Sequence, residues 1–189
     1  MNRPWLIILN GPGSVGKSTI AQALQAMASE PFLHVGGDAF LTMLPKHIWQ
    51  HPEGVSVTRT VDAQGAPILD IQIGSIVDRA LCGMRAAVAA LAGEGNNLIV
   101  DVIMTNVAEQ DDFRRRLGRF NPFFVGVHAP LDIIEARERA RGDRMPGVAR
   151  WQYRRVHAGM RYDLEIDTSI NSPAACAGQI ATAAGLGRR

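Results

Sequence analysis

Trp5-Leu-Ile-Ile-Leu9, then Asn10, then Gly11-Pro-Gly-Ser-Val-Gly16-Lys17-Ser18, then Ile20, Leu24 and Met27: this opening stretch decides the architecture. Consecutive apolar residues with no polar alternation read as a strand covered on both faces, as in a parallel sheet. The i, i+4, i+7 spacing of Ile20, Leu24 and Met27 reads as an amphipathic helix. The segment between them fits GxxxxGK[ST] without a gap, the Walker A pattern.

The chemistry of that segment follows from its backbone. Glycines let successive N–H groups wrap an anion, and the helix N-terminus behind them adds a positive dipole. Lys17 places a cation at the β- and γ-phosphates of a nucleotide, and the Ser18 hydroxyl is a magnesium ligand. Gly11, Pro12, Gly13, Ser14, Val15, Gly16, Lys17, Ser18 and Thr19 are therefore the nucleotide-binding candidates, with ATP and magnesium as the expected cofactors. A guanine-specific switch would read its base with [NT]KxD. The sequence has two lysines, and Lys46 lies in Pro45-Lys46-His47-Ile48, so that motif is absent.

Strand and helix patterns alternate along the rest of the chain. Phe32 to Val35 reads as a strand ended by Gly36-Gly37, followed by short helical stretches at Ala39 to Leu44 and around Ile48. Ile76, Ala80, Met84, Val88 and Leu91 form a helical stripe stopped by Gly93 and Gly95. Leu98 to Val100, Phe123 to Val127 and Leu164 to Ile166 read as strands. Residues 108–117, Leu131 to Arg141 and Val148 to His157 read as helices. Ser172 before Pro173 is an N-cap with proline at N1. This is an α/β chain with a mostly parallel sheet. Val55, Val57, Arg59 and Val61 break the pattern by alternating with polar residues. After a turn at Ala63-Gln-Gly65 comes Ile68 to Ile73, a hairpin insertion.

The chain has 189 residues, 47% hydrophobic and 20% charged, enough for one domain, here 1–189, with a core. Its apolar runs are too short to span a bilayer, and its first one leads into the glycine loop rather than a cleavage site. A cytoplasmic protein is expected. A net charge of +2 gives no field that would draw nucleic acid or a membrane. Arg114, Arg115, Arg116 and Arg119 follow Asp111-Asp112 without aromatic interleaving and read as a solvated helix face. Cys82 and Cys176 lack the spacing of a disulfide framework or zinc site. His47 and His51 have i, i+4 spacing but no third ligand. Trp49, Met43 and Ile48 are candidates for an apolar pocket wall.

Ligands of open α/β sheets sit beyond the carboxyl ends of the strands. Asp38 and Asp101 both follow predicted strands there. One carboxylate holds magnesium and another removes the proton of an acceptor hydroxyl, so the two aspartates divide these tasks. A helix cap is the competing role for either. Arg137, Arg141 and Arg144 are spaced i, i+4, i+7, so a continuous helix puts them on one face. Gly142 and the Met145-Pro-Gly147 loop make the end of that helix pliable, as a lid closing over phosphates requires. The competing reading is a solvated face with Glu135–Arg139 and Glu138–Arg141 pairs.

Three stretches carry a resemblance over nearly the whole chain. They are Gly37-Asp38, Glu135-Ala-Arg137-Glu-Arg-Ala-Arg141-Gly-Asp-Arg144, and Val156-His157-Ala-Gly159-Met-Arg-Tyr162-Asp163-Leu-Glu165-Ile-Asp167-Thr168. With the phosphate loop, they resemble the chloramphenicol phosphotransferases, small P-loop kinases that phosphorylate the antibiotic's primary hydroxyl. The resemblance implies a three-layer P-loop kinase fold, its five-stranded parallel sheet ordered 2-3-1-4-5. It implies that Asp38 is the base, which leaves Asp101 for the metal. It implies an arginine-bearing lid at 137–150 near ATP, with Arg137, Arg141 and Arg144 acting on the phosphates. It also implies that Thr168 to Pro173 runs beside the adenine. The expected partner is a small hydroxylated acceptor, chloramphenicol or a related compound, and the expected role is antibiotic resistance. A homo-oligomer is compatible with the family.

Val102 follows Asp101 where a member of that family has a second acidic residue, and Thr19 stands where the same member has glycine. Residues 53–75 and Met104 to Gln110, the acceptor side, also depart from the pattern. The kinase class is thus better marked than the antibiotic. A kinase of a cellular metabolite, nucleoside or nucleotide sugar fits the same residues. So does an ATP-binding switch, which would lack an acceptor pocket with Asp38 at its floor.

Overall fold

The N-terminal apolar run becomes β1 (Leu6–Asn10), every residue of it buried at the centre of a sheet. A computed structural model describes residues 3–61, 63, 65, 67–142 and 145–186. Around β1 lie β2 (Phe32–Gly36), β5 (Asn97–Val102), β6 (Phe123–His128) and β7 (Leu164–Asp167), in the order β2-β5-β1-β6-β7. All four pairings are parallel. With the hairpin strands β3 (Val55–Val61) and β4 (Pro67–Ile73) set aside, this is the implied 2-3-1-4-5 order.

Helices α1 (Lys17–Met27), α2 (Gly37–Leu41), α3 (Ser75–Gly93), α4 (Val107–Leu117), α5 (Leu131–Arg141), α6 (Val148–Tyr153) and α7 (Pro173–Ala184) complete the described elements, with two 3-10 turns at Lys46–Gln50 and Gly118–Phe120. Strand geometry sends alternate side chains of β1 to opposite faces. Ile7 and Leu9 pack with Ile20 and Leu24 of α1 and Cys176 and Ile180 of α7. Leu6 and Ile8 pack with Met84 and Val88 of α3 and Phe113 and Leu117 of α4. The unbroken apolar run is therefore the centre of three layers, with helices on both sides. No helix among the described residues is long and apolar enough to cross a membrane.

Register brings the strand ends together. Gly36 and Leu9 both lie beside Asp101, and Asn10 lies beside Val102. The phosphate loop, the start of α2 and the end of β5 thus open onto one crevice. The hairpin pairs Val55 with Ile73 and Val61 with Pro67, antiparallel and apart from the main sheet. Its base is tied by Gly74 N–H to Gly54 O (2.6 Å) and Ile76 N–H to Glu53 O (2.9 Å).

Several sequence expectations shift. Met27 is 51% exposed, because it is the last residue of α1 and stands clear of the sheet. The buried face of α3 is Val77, Met84, Arg85, Val88 and Ala92, while Ile76, Ala80 and Leu91 are only half-buried. An arginine on that face is drawn in by Asp112 of α4. The helix expected over Val148 to His157 stops at Tyr153 and continues as turns. Asp101 belongs to β5 itself, not to a turn after it. Ser172 caps α7 as expected, its Oγ accepting from Ala175 N–H at 3.2 Å. Both cysteines are free.

Candidate active site

The loop between β1 and α1 has the backbone its glycines predict. A Cβ at Gly11 would stand 2.5 Å from the Val127 carbonyl oxygen, so no other residue fits without moving β6. Gly16 has φ 103°, a left-handed conformation that side chains disfavour, and it starts the helix. Lys17 folds back over the loop. Its Nζ donates to the carbonyls of Gly11 (2.8 Å) and Pro12 (2.9 Å) and lies 3.6 Å from Asp101 Oδ1, with the side chain only 6% exposed.

Ser18 Oγ donates to Asp101 Oδ2 at 2.6 Å. The two proposed metal residues, 83 positions apart in sequence, are thus in contact. Burial pushes the Asp101 carboxyl up, but His34, Lys17 and Ser18 outweigh it and hold it below the usual carboxylate range. His34 Nε2 is 3.6 Å from Oδ2, too long for a hydrogen bond, so its influence acts through space. Sequence reading took Phe32 to Val35 as a strand and singled out none of its residues. His34 is the alternation in that strand that marks a residue turned to the crevice.

The three arginines expected in a lid divide. Arg137 Nη1 donates to Thr168 Oγ1 and Nη2 to Thr168 O, each at 2.9 Å, and Nη1 is 3.4 Å from Val15 O. Thr168 Oγ1 in turn donates to Val15 O at 2.7 Å. Arg137 and Thr168 therefore clamp the phosphate loop to the C-terminal end of β7. Arg141, the last residue of α5, lines the same cavity as the loop. Arg144 lies outside the described residues.

The Glu135–Arg139 and Glu138–Arg141 pairs of the competing solvated-face reading do not describe this helix. Glu138 is buried and accepts from the amides of Gly147 (3.0 Å) and Ala149 (2.8 Å), anchoring the start of α6. Glu135 binds Arg150, with Nη2 3.1 Å from Oε2. Gln152 of α6 accepts from Gly13 N–H at 2.7 Å, which places α6 on the loop. Neither Glu138 nor Gln152 stands out in sequence, because their partners are backbone amides that only the fold supplies.

One cavity of about 1580 Å³ joins these groups. It is lined by Gly13 to Ile20, Asp38, Asp101, Arg137, Arg141 and Thr168, and by Trp49, Val57, Arg59 and Ile71 toward the hairpin. That volume exceeds the roughly 300–1,000 Å³ of a single-ligand site. Asp38 sits in the first turn of α2, whose N-cap is Gly36 with no side-chain capping bond, so Asp38 is not the cap. Of the apolar residues picked out near position 48, Trp49 reaches the cavity, whereas Ile48 is buried beneath it and Met43 is exposed. Ser14 Oγ, His34 Nε2 and Trp151 Nε1 are buried polar atoms without a hydrogen-bond partner among the described residues, and all three residues line this cavity. Buried orphans are rare in folded proteins and point to something that pairs with them. No group of three or more His, Cys, Asp or Glu at metal-binding distances occurs among the described residues.

A polar network lies beneath the loop. Asn10, fully buried, donates from Nδ2 to Val156 O and Tyr162 Oη and accepts at Oδ1 from Met104 N–H, each at 2.8 Å. Tyr162 Oη is 2.8 Å from His157 Nδ1, and His157 stacks on His128 at 3.9 Å between ring centroids. Burial, helped by the charges of His128 and Lys17, pulls His157 down to about 4. Burial also raises Tyr162 to about 12. The stretch from Val156 to Thr168 thus supports the loop from below.

Comparison with known proteins agrees with this geometry. Residues 5–184 match the family described as chloramphenicol phosphotransferase-like protein. The chain belongs to that family. A Mycobacterium tuberculosis member, whose name gives it as a candidate O-phosphotransferase, is 34% identical over 87% of this chain and 75% of its own. Membership makes this a phosphotransferase with a hydroxyl acceptor. Solved structures of P-loop kinases share the fold. An unliganded sugar kinase from Janibacter sp. aligns with TM-score 0.68 and 17% identity, covering 97% of this chain and 96% of that one. The M. tuberculosis APS kinase, in complex with AMPPNP and APS, aligns with TM-score 0.65 and 14% identity, covering 97% and 98%.

Proposed function

We propose that the chain is an ATP- and magnesium-dependent kinase that transfers the γ-phosphate to a hydroxyl of a small molecule. The observation that carries this reading is the cavity itself. It joins a phosphate loop, a Ser–Asp oxygen pair and a second carboxylate, and it has room for two molecules. The APS kinase bound to AMPPNP and APS supports a nucleotide and an acceptor side by side in this fold.

The residues present fit both cofactors. Loop amides, Lys17 and the unpartnered Ser14 hydroxyl suit a polyphosphate. Ser18 and Asp101 are hard oxygen ligands of the kind magnesium takes, alongside phosphate and water. Magnesium would neutralise charge on the β- and γ-phosphates. Lys17 would exchange its carbonyl partners for phosphate oxygens and stabilise negative charge growing in the transition state. Asp38 accepts the acceptor's proton as its oxygen attacks phosphorus and the bond to ADP breaks. Arg137 and Thr168 hold the loop in shape, and Arg141 and Arg144 act from the lid. Chloramphenicol and its relatives are the first acceptors to offer, from the family; Trp49 and the hairpin face supply an apolar wall for such a molecule.

The test is ADP release across a panel of hydroxylated antibiotics and metabolites, with and without EDTA. Release should require both magnesium and an acceptor. Lys17→Ala should lower it at least about a hundredfold, roughly 3 kcal/mol of transition-state stabilisation. Acceptor-independent hydrolysis throughout would point to a switch instead.

A further inference from the structure

The phosphate loop meets α6 at a place where two donors have no acceptor. Gly13 N–H donates to Gln152 Oε1 at 2.7 Å, so the helix lies against the loop. The residue after Gly13 in the loop is Ser14, and the residue before Gln152 in the helix is Trp151. Ser14 Oγ and Trp151 Nε1 are both buried, and neither has a hydrogen-bond partner among the described residues. Each orphan is one residue, about 3.8 Å along the backbone, from the bond that joins loop to helix. Both residues line the large cavity. Ser14 also has φ 62°, a conformation uncommon outside glycine, so the fold holds that hydroxyl in place against a backbone preference.

Trp151 is fixed before any ligand arrives. Glu138 takes the amides of Gly147 and Ala149, which ties the start of α6 to α5. The Arg155 guanidinium lies 4.5 Å from the centroid of the indole, and its Nη1 donates to Trp151 O at 3.0 Å. A cation over a ring face is held by the ring's electrons, and its charge strengthens the indole N–H as a donor. A smaller cavity of about 210 Å³, bounded by Leu69, Asp70 and Arg155, also touches Trp151. The indole N–H takes no acceptor on that side, the Asp70 carboxylate included, so its pairing is left to the large cavity.

We propose that Trp151 is a γ-phosphate ligand of this site, its indole N–H donating, together with the Ser14 hydroxyl, to oxygens of the phosphoryl group being transferred. This inference rests on the kinase reading for the presence of a nucleotide in the cavity. The glycines and helix end of a Walker A loop cradle the inner phosphates, so donors that reach across the other half of the loop from α6 are left for the outermost one. Phosphoryl oxygens only accept, and they carry charge, which makes a hydrogen bond from a neutral donor stronger. In the transfer the acceptor oxygen bonds to phosphorus, the bond from phosphorus to the ADP oxygen breaks with its electrons going to ADP, and the acceptor's proton goes to Asp38. Trp151 keeps its proton throughout. It orients the phosphoryl group without adding another cation beside Lys17 and Arg137.

Trp151→Phe keeps an aromatic ring under Arg155 and removes the N–H. With magnesium present, calorimetry should show AMPPNP binding this variant at least about tenfold more weakly than the unaltered protein, while ADP affinity stays within about twofold. Ser14→Gly removes the hydroxyl and suits the positive φ. It should show the same selective loss, and it serves where Trp151→Phe fails to fold. In the unaltered protein the indole N–H signals of the three tryptophans are followed by nitrogen-15 NMR. That of Trp151, assigned by elimination with Trp5→Phe and Trp49→Phe, should move downfield on adding AMPPNP and stay in place on adding ADP. Equal losses of ADP and AMPPNP affinity in the folded variants, or an indole signal that AMPPNP leaves unmoved, overturns this proposal and leaves the kinase reading standing. Failure of both nucleotides to bind the unaltered protein refutes the kinase reading and this inference with it.

Discussion

Asn10→Leu tests whether the polar network beneath the phosphate loop holds the site together. Leucine keeps the approximate volume, so little of the effect comes from a cavity. It removes the bonds to Val156 O, Tyr162 Oη and Met104 N–H, all 2.8 Å and all in a fully buried setting. Tyr162 keeps His157 as a partner, and Val156 O keeps a longer bond from Tyr162 at 3.3 Å. The Met104 amide loses its side-chain acceptor. Two lost bonds at about 1 kcal/mol each, plus about 1–3 kcal/mol for a desolvated amide, give a destabilisation of roughly 3–5 kcal/mol. That is a large part of the 5–15 kcal/mol typical of a domain. The melting temperature should fall by about 10 °C. Turnover should fall too, because Met104 follows the end of β5, which carries Asp101. Urea unfolding with a two-state fit measures the first effect and coupled ADP release the second. A loss below about 1 kcal/mol would show that the network is relaxed or hydrated, and the reasoning would fail.

Asp38→Asn should retain nucleotide affinity and melting temperature but transfer phosphate at least about a hundredfold more slowly; unchanged turnover would remove Asp38 from the role of base. Thr168→Val should weaken nucleotide binding roughly five- to thirtyfold, about 1–2 kcal/mol, through the loss of its bonds to Val15 and Arg137, and unaltered affinity measured by calorimetry would contradict the clamp. His157 should titrate near 4 by NMR, against an ordinary 6.5, because burial and the charge of His128 disfavour its cation. Between those values the unfolded chain binds more protons, so stability should fall as pH drops from about 6.5 toward 4 and be complete above that window; a ring titrating near 6.5 would refute the neutral network.

The most legible parts were those whose physics is local. The phosphate loop could be read because strand, glycines, Lys17 and Ser18 are contiguous, and backbone conformation follows from residue type. The hairpin was legible because alternation at period two is unlike anything around it, and its observed strands start and stop within a residue of the expected ones. Met27 and the face of α3 misled because periodicity shows that a helix is amphipathic but not which neighbours cover it. Glu135 and Glu138 misled for a related reason. Charges at i, i+3 and i+4 suggest pairs along one helix, whereas these carboxylates turned to a neighbouring helix.

The sequence by itself determined that a Walker A loop leads an alternating α/β chain, with acidic residues at strand ends and arginines near a pliable turn. Those conclusions need only nearest neighbours along the chain. Tertiary structure alone decided that Ser18 meets Asp101, that His34 stands beside them, and that Arg137 spends its guanidinium on Thr168. It also decided that Arg85 is drawn in against Asp112 at the wall of the cavity. Each of these joins residues tens of positions apart, and hydrogen bonds and ion pairs act over a few ångströms. Only the packing of parallel strands, whose order no local pattern encodes, brings such groups within that range.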